Sequence, residues 1–120
     1  ACVPISALAQ AVEETRADIA ASGIPGPILG HVGDGNFHAI LLVNPSLPQE
    51  VATAKTLAQR MAERSLRLGG TITGEHGVGF GKLGLMASEH GEAWQVMRAV
   101  KAALDPLNLM NPGKLVPGEP

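Results

Sequence analysis

Two polar, glycine-rich segments constrain the fold of this chain more than any other feature, because each one interrupts or follows an apolar stretch. The first, HVGDGNFH at residues 31–38, lies between two extended apolar arms within residues 28–43. The second, GEHGVG at residues 74–79, follows the β-branched stretch at residues 71–73. Both patterns predict polar turns at the ends of strands, where functional side chains are commonly displayed.

Three further segments have the apolar periodicity of helices. Ser6 is a suitable N-cap for a helix that extends to Ser22, and Gly23 is the residue type that ends helices. Residues 48–68 predict a second helix, and residues 88–104 predict a third with one buried stripe, formed by Trp94, Met97 and Leu104.

The order of these elements defines the expected fold class. With a short strand at residues 2–5, strands and helices alternate along the chain without an internal repeat. This order predicts a single α+β domain over residues 1–120, in which helices pack on one face of an antiparallel sheet.

The composition disfavours several classes of function. The net charge of -2, with two Phe, one Trp and no Tyr, provides neither a basic surface for phosphates nor stacking platforms for bases. Nucleic-acid binding is therefore disfavoured. No apolar run approaches the roughly 20 residues that cross a bilayer. The single cysteine, Cys2, offers no internal disulfide, so a cytoplasmic protein is expected.

The residues of the two polar segments suggest a metal site. On an uninterrupted strand, His31 and His38 would point to opposite faces, so a bend or bulge at the intervening glycines is needed to bring them together. Two imidazoles and the carboxylate of Glu75 form a ligand set that leaves coordination positions open. His76 is then the candidate base. Each motif alone is equally compatible with a histidine that caps a turn, whereas their combination favours a site.

A third motif, LMNPGK at residues 109–114, completes an ordered pattern. The three segments resemble the C-terminal domain of FAD-linked oxidases, a family that includes D-lactate dehydrogenases, D-2-hydroxyglutarate dehydrogenases and the flavoprotein subunit of glycolate oxidase. The resemblance covers nearly the whole chain. It implies a ferredoxin-like cap domain of an FAD-dependent enzyme that oxidises a D-2-hydroxy acid to a 2-oxo acid.

The resemblance also implies roles for individual residues. His31, His38 and Glu75 would hold a divalent metal, with zinc as the expected ion, and this metal would bind the oxygens of the hydroxy acid. His76 would take the proton from the hydroxyl group of the substrate.

Other residues would face the substrate or the cofactor. Asn36 would bind the substrate, and Glu75 and Asn111 would approach the FAD. The first residue is Ala1 rather than Met, and we expect an absent N-terminal domain to bind most of the FAD. The chain alone would then be inactive, and its uncovered apolar surface predicts a homodimer.

Two alternatives remain open at this stage. The enzyme could be an FAD-linked oxidase of another alcohol, such as an ether lipid or an aromatic compound. The chain could also be a metal-binding or assembly module that docks onto a flavoprotein without chemistry of its own.

Overall fold

The computed structural model describes residues 1–116, which fall into two compact units: Ala1–Glu75, and a second unit that begins at His76. It confirms the predicted α+β class with an antiparallel sheet. No helix in this described part of the chain is both long and apolar enough to cross a membrane. The elements are α1 (Ile5–Ser22), β1 (Ile28–His31), β2 (Asn36–Ala39), α2 (Pro48–Arg67), α3 (Met86–His90) and α4 (Ala93–Leu104).

Helix α1 begins two residues earlier than predicted. Its N-cap is Pro4, with φ -50° and ψ 140°, and no side chain caps the first turn, so the prediction of Ser6 as N-cap was wrong. Proline fixes its own φ, and this restriction directs the chain into the helix without a capping hydroxyl. The predicted end is confirmed, because Gly23 adopts the left-handed conformation with φ 74°.

The sheet of the first unit is a hairpin extended by isolated bridges. Strands β1 and β2 pair antiparallel, with Ile28 opposite Ala39 and His31 opposite Asn36. Cys2 bridges both Asn36 and Thr71, so the N-terminal segment lies between β2 and the segment that carries Thr71. In place of the strands predicted at residues 2–5 and 71–73, the structure has bridges at one residue of each segment, Cys2 and Thr71.

The hydrophobic core of this unit lies between the sheet and its helices. Val3, Ala11 and Phe37 are almost completely buried. Half-buried apolar side chains from the N-terminus, α1, β1, α2 and the residue after α2 pack against them: Ala1, Ala7, Leu8, Val12, Ile28, Met61 and Leu68. Because Phe37 points into this core, its neighbours on β2 point to the opposite face.

A buried arginine joins the two long helices. Arg64 of α2 is 8% exposed and donates to three side chains of α1: Glu14 at 2.9 Å, Thr15 at 2.9 Å, and Asp18. Burial opposes the guanidinium charge, but hydrogen bonds to Asp18 and Glu14 outweigh it and raise the pKa of Arg64. Hydrogen bonds from Gln10 and Arg64 lower the pKa of Glu14.

The second unit differs most from the prediction. The third helix predicted over residues 88–104 is wrong as a single element, because Gly91, with φ 51° and ψ -132°, separates α3 from α4. The predicted buried stripe is also wrong: α4 has no buried residue, Trp94 and Met97 are half-buried, and Leu104 is 73% exposed. Helical periodicity reports a face that is apolar, and it does not report whether that face is covered.

We expect Arg64→Lys to lower the free energy of unfolding by about 2–3 kcal/mol, because a lysine has no planar fork with which to donate to three acceptors at once. The matched control is Arg60→Lys, since Arg60 is exposed and pairs only with Asp18 among the ion pairs of the described residues. The control should change stability by less than about 0.5 kcal/mol. Urea denaturation measures both, and equal losses would contradict the assigned role of Arg64.

Candidate metal and substrate site

The hairpin brings His31 and His38 to one face. His38 lies opposite Leu29 in the register, two residues from His31, so both imidazoles project from the same side of the sheet. Their ring centroids are 6.0 Å apart and the ring planes are nearly perpendicular. The expected bend is a complete chain reversal, formed by the 3-10 turn Val32–Asp34 and by Gly35 at φ 72°.

The N-terminal segment brings the second polar segment to the hairpin. Phe37 donates its backbone N–H to Ala1 at 3.0 Å, and Val3 donates to Gly35 at 2.9 Å. On the other side, Cys2 and Thr71 exchange backbone hydrogen bonds of 3.1 and 2.8 Å. The chain that continues from Thr71 leads directly to Glu75.

Glu75 completes a group of three donors with the histidines. Its Oε1 lies 3.2 Å from Nε2 of His38 and 3.7 Å from Nε2 of His31. One donor atom from each residue lies within 4.8 Å of the other two, so the three residues are close enough to be candidate ligands of one cation. The side chain of His38 is 25% exposed, whereas those of Glu75 and His31 are 47% and 62% exposed. The group is therefore accessible from solvent.

Asn36 lies on the same sheet face but is buried, with 6% of its surface exposed. Among the described residues, its Oδ1 is a buried oxygen with no hydrogen-bond partner. A Cβ at Gly74 would approach this oxygen to 3.1 Å, so Asn36 packs directly against the residue before Glu75. Its predicted contact with substrate stays a prediction.

His76 follows Glu75 in the turn at residues 74–76 and is exposed. It is the first residue of the second unit and is not a member of the group of three donors. The predicted role of His76 as a base stays a prediction.

Asn111 lies in the second unit, where two of the sequence motifs meet. It is exposed and has φ 47°, and its backbone oxygen accepts a hydrogen bond from the backbone N–H of Lys114 at 3.2 Å. Leu115 donates to the backbone oxygen of Gly79 at 3.3 Å, which joins the end of this motif to the glycine-rich loop. The predicted approach of Asn111 to a flavin stays a prediction.

Asp105 binds several groups of this region through its side chain, whereas the sequence alone indicated only that it ends a helix. Its carboxylate is buried and accepts the backbone N–H groups of Leu109 and Met110 at 2.9 and 2.8 Å. Lys101 donates to the same carboxylate, and this hydrogen bond is the largest cause that lowers the pKa of Asp105 to about 2. The i, i+4 spacing of Lys101 and Asp105 was the available signal.

Comparison with known proteins identifies the family. The model of a family described as FAD linked oxidases, C-terminal domain, matches residues 1–115. This chain belongs to that family. The family resemblance predicted from the three motifs is therefore confirmed.

Several relatives of this FAD-linked oxidase domain share substantial identity with it. A probable mitochondrial D-lactate dehydrogenase of Danio rerio is 51% identical over 116 residues, which are 96% of this chain and 23% of that protein. The glycolate oxidase subunit GlcD of Escherichia coli is 41% identical over 88 residues, 72% of this chain and 18% of the subunit. D-2-hydroxyglutarate dehydrogenase of Escherichia coli is 35% identical over 118 residues, 98% of this chain and 12% of that protein. The chain thus spans about a quarter or less of each.

We expect Gly74→Ala to disturb the donor triangle, because a methyl group would press against Oδ1 of Asn36. Gly77→Ala is a matched control, since Gly77 also has positive φ but has open space around it. Both changes should cost roughly 1–2 kcal/mol from backbone strain. Only Gly74→Ala should also shift the imidazole NMR resonances of His31 and His38, and unchanged resonances would contradict the described packing.

Proposed function

We propose that this chain is the C-terminal domain of an FAD-dependent D-2-hydroxy-acid dehydrogenase that oxidises a substrate of the lactate, glycolate or 2-hydroxyglutarate type to a 2-oxo acid. The observation that carries the proposal is the group of His31, His38 and Glu75 in a chain of this family. Support for the substrate class comes from the relatives, whose names specify D-lactate, glycolate and D-2-hydroxyglutarate.

The three donors fit a divalent metal such as zinc. Two ligands bound about 2.0–2.1 Å from a tetrahedral zinc ion lie roughly 3.4 Å apart. The separations of 3.2 and 3.7 Å between Glu75 and the two histidines lie on either side of that value. All three donor atoms lie within 4.8 Å of one another, and they would draw together around a bound ion. Two imidazoles and one carboxylate also leave at least one position open for substrate oxygens. When bound, the metal would stabilise the deprotonated hydroxyl of the acid.

His76 is the proposed base. It would accept the hydroxyl proton on a ring nitrogen and hold it while the substrate is oxidised. The flavin, when bound, would accept the hydride from C2 of the acid. Asn36 would orient the substrate, and Glu75 and Asn111 would approach the flavin. The compartment proposed for the enzyme is the cytoplasm.

The proposed partner of this domain is the flavin-binding part of the same enzyme. On α4 of the present chain, three apolar side chains recur every four residues and are all more than half exposed: Val96, Val100 and Leu104. A stripe of this kind is typical of a surface that packs against another domain. When the flavin-binding domain is missing, we expect the same stripe to support a homodimer.

We expect the wild-type chain to bind about one zinc ion, and a variant with His31→Ala and His38→Ala to bind none, because two of three protein ligands are lost. The matched control is His90→Ala, which removes a histidine outside the donor group. The zinc content per chain is measured by elemental analysis, after dialysis against zinc and then against buffer. Equal metal content in the wild type and the double variant would contradict the site.

The full-length enzyme loaded with FAD is tested on a panel of D-lactate, glycolate and D-2-hydroxyglutarate. We expect it to convert at least one of these acids to the corresponding 2-oxo acid. His76→Ala should lower kcat by about 10²–10⁴-fold, as expected for loss of a general base. His90→Ala should have normal turnover. Normal turnover in His76→Ala would favour an assembly module, whereas oxidation of only non-acidic alcohols would favour the alternative substrate class.

A further inference from the structure

The segment at residues 106–110 exposes its apolar side chains. Leu107, Leu109 and Met110 are 76%, 74% and 58% exposed. The hydrophobic effect therefore does not hold this segment in its conformation within the described chain. A different interaction must fix it, since a loop with exposed apolar residues gains little from packing on its own unit.

The carboxylate of Asp105 supplies that interaction. Its two oxygens accept the N–H groups of Leu109 and Met110, and Lys101 binds the same carboxylate and donates to the backbone oxygen of Met110 at 2.6 Å. The backbone oxygen of Asp105 also accepts from Asn108 at 2.9 Å. One buried carboxylate and one lysine thus close the segment into a loop that leads directly into Asn111.

The motif is held again beyond Asn111. The backbone oxygen of Leu115 accepts the indole N–H of Trp94 at 3.1 Å, and its N–H donates to Gly79. Asn111 lies between these two attachments, at a positive φ that asparagine tolerates better than most residues. A change at either attachment should therefore alter where the side chain of Asn111 points.

We propose that Asp105, together with Lys101, is a positioning residue for FAD: it fixes the segment before Asn111 and thereby presents Asn111 to the flavin. This inference rests on the proposed function, because it takes the approach of Asn111 to the flavin from there. Asp105 acts through the backbone of residues 109–111 and does not itself contact the cofactor.

The test uses the full-length enzyme with Asp105→Asn, Asn111→Ala and the double variant. An amide has one acceptor oxygen and one NH₂ group, so either orientation in Asp105→Asn directs a donor at the N–H of Leu109 or Met110. We expect the Kd for FAD to rise about ten-fold, the equivalent of one lost hydrogen bond to a charged group. Release of FAD is measured by flavin fluorescence, and the flavin environment by its visible absorption spectrum.

The controls separate a positioning role from a purely structural one. Glu92→Gln is the matched change of an exposed carboxylate near the start of α4 and should leave FAD binding unchanged. Lys101→Met removes the two bonds of the lysine, to the carboxylate of Asp105 and to the backbone oxygen of Met110, so it carries the test if Asp105→Asn does not fold. Saturating FAD should restore turnover in either variant. Because FAD also stabilises the folded state, urea denaturation without FAD separates weaker FAD binding from a general loss of stability.

The double variant identifies the route of the effect. If Asp105 acts through Asn111, the Kd of the double variant for FAD should not exceed the higher Kd of the two single variants, because the two losses of binding free energy are not independent. Additive losses would overturn the inference. An effect of Asn111→Ala without any effect of Asp105→Asn or Lys101→Met would also overturn it while leaving the proposed function intact. A silent Asn111→Ala would refute the cofactor role of Asn111 and the inference with it.

Discussion

The backbone hydrogen bonds of residues 1–3 are the constraint on which the candidate metal site depends. They join β2 on one side and Thr71 on the other, and so bring the segment that carries Glu75 beside the hairpin that carries the histidines. The approach is close. A Cβ at Gly35 would lie 2.0 Å from the oxygen of Val3, and one at Gly70 would lie 2.1 Å from the oxygen of Cys2. Glycine at both positions lets the three segments meet.

The alternation of β2 ties the site to the hydrophobic core. Phe37 is 1% exposed and packs with Val3 and Ala11, which fixes the strand against α1. His38 and Asn36, on either side of Phe37, must then project from the opposite face. Residues 36–38 therefore both anchor the hairpin and direct its polar groups. The packing of Phe37 determines the face of the sheet from which the histidines project.

The sequence was most informative where the signal is local. The polar motifs, the end of α1, the extent of α2 and the α+β class followed from periodicity and from residue types such as Gly23. The hairpin was harder to predict, because a spacing of seven between His31 and His38 is compatible with a bulge or with a reversal. The break at Gly91 was missed although glycine is a residue type that ends helices and residues 88–92 contain no apolar side chain. The spacing of Lys101 and Asp105 could have indicated their ion pair, but the hydrogen bonds from Leu109 and Met110 depend on how the following loop folds back.

The donor group also has a consequence for the mechanics of the chain. His31 and His38 belong to one hairpin, whereas Glu75 is separated from them by the whole of α2. A cation that binds all three would be a removable cross-link that closes a long loop, and it would restrict the unfolded chain in the manner of a disulfide. Removal of the ion by a chelator would then lower the stability of the tertiary structure. The hairpin supplies two ligands locally, but the third is in place only when the N-terminal segment joins β2 to the segment that carries Thr71.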